Sequence, residues 1–196
     1  MRDYIIMTDS CCDLSQQEVE ELELTVLPLS FTIEGKTLLN TPDHADMSPE
    51  EFFAKIAAGA DCTTAAANVG QFTDAMEKAL QEGKDILCVC FSSALSTTYQ
   101  SACIAAEDLR EKYPEAKILV IDSLSASRGQ GMLLYRAVRE RREKNLTIDE
   151  LDAYVRSIIQ SQCHWFIVDD LNHLKRGGRV SLSLIHISEP TRLLSI

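Results

Sequence analysis

The 196-residue sequence predicts an α/β fold, a mostly parallel sheet with helices on both faces. Two observations predict it. Short, apolar, β-branched runs alternate along the chain with stretches whose apolar residues recur at helical spacing. Polar pairs also sit where those runs stop: Asp9-Ser10, Ser92-Ser93, Asp122-Ser123 and Asp169-Asp170. In sheets of this class ligands bind outside the carboxyl ends of the strands.

Tyr4–Asp9 reads as the first strand, followed by a helix over about Ser15–Glu23. Thr25–Ile33 and Lys36–Leu39, joined across Glu34-Gly35, read as a hairpin or one bent strand. Ser48-Pro49-Glu50-Glu51 has the form of a capping box with proline at the first helical position, opening a helix that runs to Gly59. The neutral stretch Asp61–Asn68 then reads as a loop between two helices, the second covering about Gly70–Gln81. Ile86–Phe91 is the next strand. Tyr99, Ala102, Cys103, Ala106 and Leu109 form one helical stripe, closed by Pro114. Lys117–Asp122 is a strand, Gly131–Lys144 a helix, and Thr147-x-x-Glu150 a second capping box with Leu151, Tyr154, Val155, Ile158 and Ile159 on its buried side. His164–Val168 reads as one more strand.

Composition narrows the function classes. A formal charge of −11 argues against nucleic acid, whose binding rests on lysine and arginine displacing counterions. The basic group Arg136, Arg139, Arg141, Arg142 and Lys144 is interleaved with Glu140 and Glu143 and reads as a solvated helix face. No apolar run is long enough to span a membrane, and the N-terminus enters a strand at once, without a leader. Seven cysteines without metal-ligand spacing read as small buried hydrophobes in a reducing cytosol, with Cys88 and Cys90 on one side of a strand.

The densest chemistry is neutral. From Phe91 to Ala102 the chain carries six serine and threonine hydroxyls and no charge. Ser92, Ser93, Ser96, Thr97 and Thr98 occupy a strand-to-helix turn, where unpaired N–H groups and the helix dipole suit a carboxylate or phosphate. Thr63 and Thr64 form a second neutral patch, beside small residues that allow close approach of a ligand. Three aspartate-bearing strand ends pose an alternative, a magnesium cage for a metal-dependent phosphotransferase or hydrolase. Against it, Asp9 and Asp13 lack close carboxylate spacing, and no nucleotide-binding glycine loop or serine-nucleophile motif is present. A third reading is an interaction module that docks a partner on its acidic surface.

Six stretches, taken in order, carry a resemblance: Thr8–Leu14 (TDSCCDL), Pro28-Leu29, Thr63-Thr64, Ser92–Ala102 (SSALSTTYQSA), Val120–Ser123 with Ser127–Gly131 (VIDS, SRGQG), and Leu174–Ser181 (LKRGGRVS). Together they resemble the DegV family of fatty-acid-binding proteins. The resemblance implies two α/β domains clasping one long-chain fatty acid, whose carboxylate is held by neutral hydroxyls. It implies a cytoplasmic carrier, not an enzyme, with no cofactor or metal. The carrier presents its acid to a fatty acid kinase, which makes an acyl phosphate for phospholipid synthesis. Carried over by position, Thr63 and Ser93 are the headgroup ligands, with Thr64, Ser92 and Ser96 beside them.

The chain departs from the family pattern in three places. Thr63-Thr64 stands where the family has threonine-serine, followed by Ala65-Ala66-Ala67-Asn68 in place of a proline-containing stretch. Ser96-Thr97-Thr98 stands where the family has serine-glycine-threonine. After Ser181 the family pattern stops. The expected organisation is therefore residues 1–162 as a DegV-like N-terminal domain, 163–181 as the start of a truncated second domain, and 182–196 as an unrelated tail resembling translated sequencing-adaptor DNA. The second domain of the family supplies a histidine to the headgroup, and His186 is not assigned that role.

Overall fold

The computed structural model describes residues 2–165 and, beyond them, 174, 175, 177 and 178. The chain divides into two compact units, Met1–Gln162 and Cys163–Ile196. Residues 166–168 of the expected last strand, the pair Asp169-Asp170, the expected tail and most of Leu174–Ser181 lie outside the described residues.

The centre of the first unit is a four-stranded parallel sheet in the order β2-β1-β6-β7, from β1 (Tyr4–Asp9), β2 (Leu24–Leu27), β6 (Asp85–Cys90) and β7 (Ile118–Asp122). Alternation along the strands divides the apolar residues between two cores. Ile6, Leu87, Val89 and Ile121 pack with Leu133, Leu134, Leu151 and Val155, from α5 (Arg128–Lys144) and α6 (Ile148–Ile159). Met7, Ile86, Cys88, Cys90, Ile118 and Val120 pack on the other face with Phe72, Met76, Ala102 and Ala106, from α3 (Val69–Gln81) and α4 (Thr98–Lys112). Every residue of β6 is buried, as a strand covered on both faces must be. Cys88 and Cys90 do share one side, with their sulfurs 3.5 Å apart in the core.

A second sheet departs from the expectation of a single one. β3 (Leu29–Ile33), β4 (Lys36–Asn40) and β5 (Cys62–Ala65) form a three-stranded antiparallel sheet in the order β4-β3-β5. The expected continuous run Thr25–Ile33 is cut at Pro28. Proline has no N–H to continue a ladder, so Leu24–Leu27 joins the parallel sheet and Leu29–Ile33 the small one. The stretch expected as a loop is likewise strand β5, because its hydroxyl-bearing β-branched pair meets an open edge of β3.

Helix starts follow the sequence closely. Ser15 and Thr147 make full capping boxes with Glu18 and Glu150, opening α1 (Gln16–Glu21) and α6. At α2 (Pro49–Ala57) only half of the expected box forms. Ser48 Oγ accepts from Glu51 N, while the Glu51 carboxylate lies 3.7 Å from Lys55 Nζ. The basic group on α5 is largely neutralised. Arg139 pairs with Glu143, Arg141 with Asp3, Arg142 with Glu23 and Lys144 with Glu140.

Candidate functional site

The carboxyl ends of β1, β6 and β7 converge on the turn Phe91–Thr97. Three elements hold this turn through its backbone. Phe91 N donates to Asp9 Oδ2 (2.8 Å), Ser92 N to Ser125 O (3.1 Å) and Ser93 N to Asp122 Oδ1 (3.1 Å). Inside the turn, Ala94 N donates to Ser92 Oγ, and Leu95 N and Ser96 N both donate to Ser92 O. Thr98 N, in the first turn of α4, donates to Ser96 Oγ, whose hydroxyl also lies 2.9 Å from Thr98 Oγ1.

This narrows the expected unpaired N–H groups to the start of α4, where among the described residues Thr97 N, Tyr99 N and Gln100 N have no acceptor and Thr97 makes no side-chain cap. From Phe91 through Ser96 every backbone N–H already has an acceptor. The side chains divide accordingly. Ser92 is buried and builds the turn, Ser96 caps the start of α4, and Ser93 is exposed. Of the three serines, Ser93 is the one whose hydroxyl is presented to solvent.

Thr63 and Thr64 belong to the small sheet, and strand alternation separates them. Thr64 pairs in register with Phe31, the face on which Phe52 of α2 packs edge-to-face at 5.3 Å. Thr63 pairs with Thr32, which lies 2.9 Å from Thr37 through their hydroxyls. Thr63 therefore stands on the side away from Phe31, in a row of three cross-strand threonines, with Leu39 and Ala65 exposed on that side.

Two buried side chains join these parts, and the sequence marked them only as a strand-end polar residue and as part of Ser127–Gly131, not by these contacts. Ser10 Oγ accepts from Leu29 N (3.0 Å) and from Asn40 Nδ2 (3.3 Å), tying the end of β1 to the small sheet. Gln130 donates to Thr8 Oγ1 (2.9 Å) and Asp9 Oδ2 (3.3 Å) from the first turn of α5. Their contacts cross 19 to 122 positions of sequence, so no local pattern shows these partners. Gly131 has a steric reason. A β-carbon there would stand 2.7 Å from the Cys12 carbonyl oxygen and 3.0 Å from Leu14 Cδ2.

The strand-end aspartates are engaged in building the site. Asp9 is fully buried; both its oxygens accept hydrogen bonds, from Cys11 N and from Phe91 N with Gln130. Burial pushes its pKa up, against the pull of those donors. Asp122 Oδ1 accepts from Ser93 N and from Leu124 N. Asp13 accepts from Ser127 Oγ. Among the described residues no group of three or more His, Cys, Asp or Glu could hold a metal ion, and no helix is long and apolar enough to cross a membrane. A cleft of about 410 Å³ lies elsewhere, at the β2 edge, lined by Thr25, Val26, Pro28, Gln71, Asp74 and Ala75. It contains none of the expected ligand-binding residues.

Residues 4–185 match a family model described as "Uncharacterised protein, DegV family". A DegV domain-containing protein of Clostridium perfringens is 38% identical over 196 residues, covering all of this chain and 66% of its own length. Another, from Lactococcus lactis, is 39% identical over 177 residues, covering 90% of this chain and 61% of its own length. The chain thus spans less than two-thirds of the length of these relatives. A solved structure from Thermus thermophilus, described as fatty acid binding of a DegV family protein, superposes with a TM-score of 0.80 at 30% identity. It covers 96% of this chain and 64% of that one. A stearic acid-binding protein from Eubacterium ventriosum superposes with a TM-score of 0.77 at 25% identity, covering 92% and 62%.

Proposed function

The chain belongs to the DegV family, and from that premise we propose that it carries the headgroup-binding part of a non-enzymatic long-chain fatty-acid carrier. Ser93 and Thr63 hold the carboxyl end of the ligand. Ser92 and Ser96 shape the turn that presents Ser93, and Thr64 supports β5 from its other face. The observation that carries this reading is the Phe91–Thr97 turn itself. Three strand ends and the turn's own backbone donors are arranged so that uncharged hydroxyl-bearing residues, Ser93 at the strand end and Thr97 at the start of α4, are exposed.

Magnitudes fit a site of this kind. Burying a sixteen-carbon tail at about 0.8 kcal/mol per CH₂ offers roughly 10 kcal/mol before the entropy costs of association. A hydroxyl hydrogen bond adds about 0.5–1.5 kcal/mol to a neutral partner and about 1.5–3 to a charged one. Affinity therefore resides in the tail, and Ser93 and Thr63 select which end binds where. An arginine clamp is unnecessary. The tail needs a wall, and a second α/β domain in the part of the relatives that this chain does not span is proposed to complete it. The loaded carrier presents its acid to a fatty acid kinase for acyl phosphate formation, feeding phospholipid synthesis. Seven free cysteines are compatible with a cytoplasmic, reducing setting.

Solvent extraction of the purified chain, followed by mass spectrometry, tests the reading. The same measurement on the chain continued by the remaining part of the Clostridium perfringens relative tests the clasp. Co-purified saturated or unsaturated long-chain acid is expected. If neither protein yields such an acid or binds added oleate, the carrier function is wrong.

A further inference from the structure

The loop from β7 to α5 carries two of the contacts that hold the Ser92-Ser93 turn. Ser92 N donates to Ser125 O (3.1 Å), and Asp122 Oδ1 accepts from Ser93 N and from Leu124 N, each at 3.1 Å. Inside the loop, Ser125 N donates to Ser123 Oγ (3.2 Å), and Ser123 is fully buried. The backbone that makes these contacts is strained at two residues. Leu124 has a φ of 49°, and Ser127 has a φ of 53° with a ψ of −138°. Gly129 N donates to Ala126 O at 3.0 Å, which puts Ser127 at the first central position of a type II′ turn. Glycine is the usual residue there, because a β-carbon crowds the backbone at this φ.

A strained position persists only where its surroundings over-determine it, and such positions gather at functional sites. Ser127 is held in that way. Its hydroxyl donates to Asp13 Oδ2, just past the end of β1. Its carbonyl accepts from Gly131 N (3.2 Å), and the adjacent Arg128 pairs with Glu18 at 2.7 Å. We propose that Ser127 is a positioning residue for the acyl headgroup, fixing the strained end of the β7–α5 loop against Asp13 and so setting where Ser125 and Asp122 hold the Ser92-Ser93 turn. The inference rests on the carrier reading and adds to it a residue that acts on the ligand only through Ser93.

The fold alone gains nothing from a serine at this backbone conformation, which glycine adopts freely. What serine adds is the bond to Asp13. It ties the loop that holds Ser93 from the β7 side to the segment that follows β1. A glycine at 127 would relieve the strain and release the tie together.

Two substitutions separate these effects. Neither Ser127→Ala nor Ser127→Gly can bond to Asp13, but only glycine is at ease at this φ and ψ. Urea unfolding should therefore give Ser127→Gly a higher midpoint than Ser127→Ala. Binding is measured by displacement of a fluorescent fatty acid from the chain continued by the remaining part of the Clostridium perfringens relative. The competitors are oleate and methyl oleate, which has the same tail and a blocked carboxyl. Ser127→Gly is expected to weaken oleate binding about tenfold and to leave methyl oleate nearly unchanged, whereas a general loosening of the fold would weaken both. In a Ser93→Ala background the same substitution is expected to change oleate binding by less than about twofold, since both act on one contact. Wild-type affinity for oleate in Ser127→Gly, equal losses for the two competitors, or an undiminished loss without Ser93 overturns the positioning role and leaves the carrier reading intact. A midpoint no higher for Ser127→Gly than for Ser127→Ala also overturns it, by removing the strain. A continued wild-type chain that binds no oleate overturns both.

Discussion

Ser93 shows how one hydroxyl can matter when its neighbours of the same chemistry do not. Ser92 and Ser96 are held in the turn by hydrogen bonds to the backbone, and Ser93 is left outward. Ser93→Ala should weaken fatty acid binding about tenfold, or ~1.4 kcal/mol, with an unchanged melting temperature. Thr63→Ala should act similarly and Thr64→Ala much less, because alternation places Thr64 on the α2 side. Titration calorimetry on the three variants measures this; equal losses for Thr63 and Thr64 would remove the facial argument. Gly131→Ala makes the complementary prediction for stability. An added methyl gains helix propensity of about 1 kcal/mol, yet it meets a backbone carbonyl that cannot swing aside. A net loss of about 1–3 kcal/mol is expected from overpacking, read as a lower urea midpoint.

At the scale of elements, α1 and α5 are joined at their first turns by Glu18, which caps α1 through Ser15 and accepts from Arg128. The Arg128 hydrogen bond, helped by Ser15, draws the Glu18 pKa from 4.5 to about 2. A carboxyl with a depressed folded-state pKa stabilises the fold above its unfolded value and loses that contribution as pH falls. Here the loss should run from about pH 4.5 down to about 2. Both side chains are substantially exposed, at 38% and 61%, so the contribution is below about 1 kcal/mol. Urea unfolding of wild type and Glu18→Gln across that range should show the difference shrinking toward acid. The elements themselves were legible where local rules govern them. The caps at Ser15 and Thr147 and the strand Tyr4–Asp9 are readable from a few adjacent residues. β5 was not, since Cys62–Ala65 becomes a strand only because β3, some thirty residues earlier, leaves an edge to pair with.

Among the described residues the small sheet exposes Leu39 (42%) beside its hydroxyls, and α2 exposes Phe53 (67%). Exposed apolar surface of this kind promotes association. The 196-residue chain is therefore expected to self-associate with rising concentration. It should also bind oleate at least about tenfold more weakly, ~1.4 kcal/mol, than the continued chain. Sedimentation velocity and a fluorescent fatty-acid displacement assay measure the two effects. A monomeric chain that binds as tightly as its continued form would show that no second domain is needed to enclose the ligand.

By itself the sequence determined the α/β class, the order of the helices and of the parallel strands β1, β6 and β7, and the concentration of neutral hydroxyls at the end of β6. These follow from periodicity, caps and turn chemistry, which act over a few residues. Only the tertiary structure decided what those hydroxyls can offer. Asp9 from one distant segment and Asp122 with Ser125 from another occupy N–H groups of the turn. Pairing with Thr32 and Phe31 decides which way Thr63 and Thr64 face. A buried backbone donor must find an acceptor wherever the fold brings one, and strand pairing sets which side chains share a face. Both are properties of the assembled sheets.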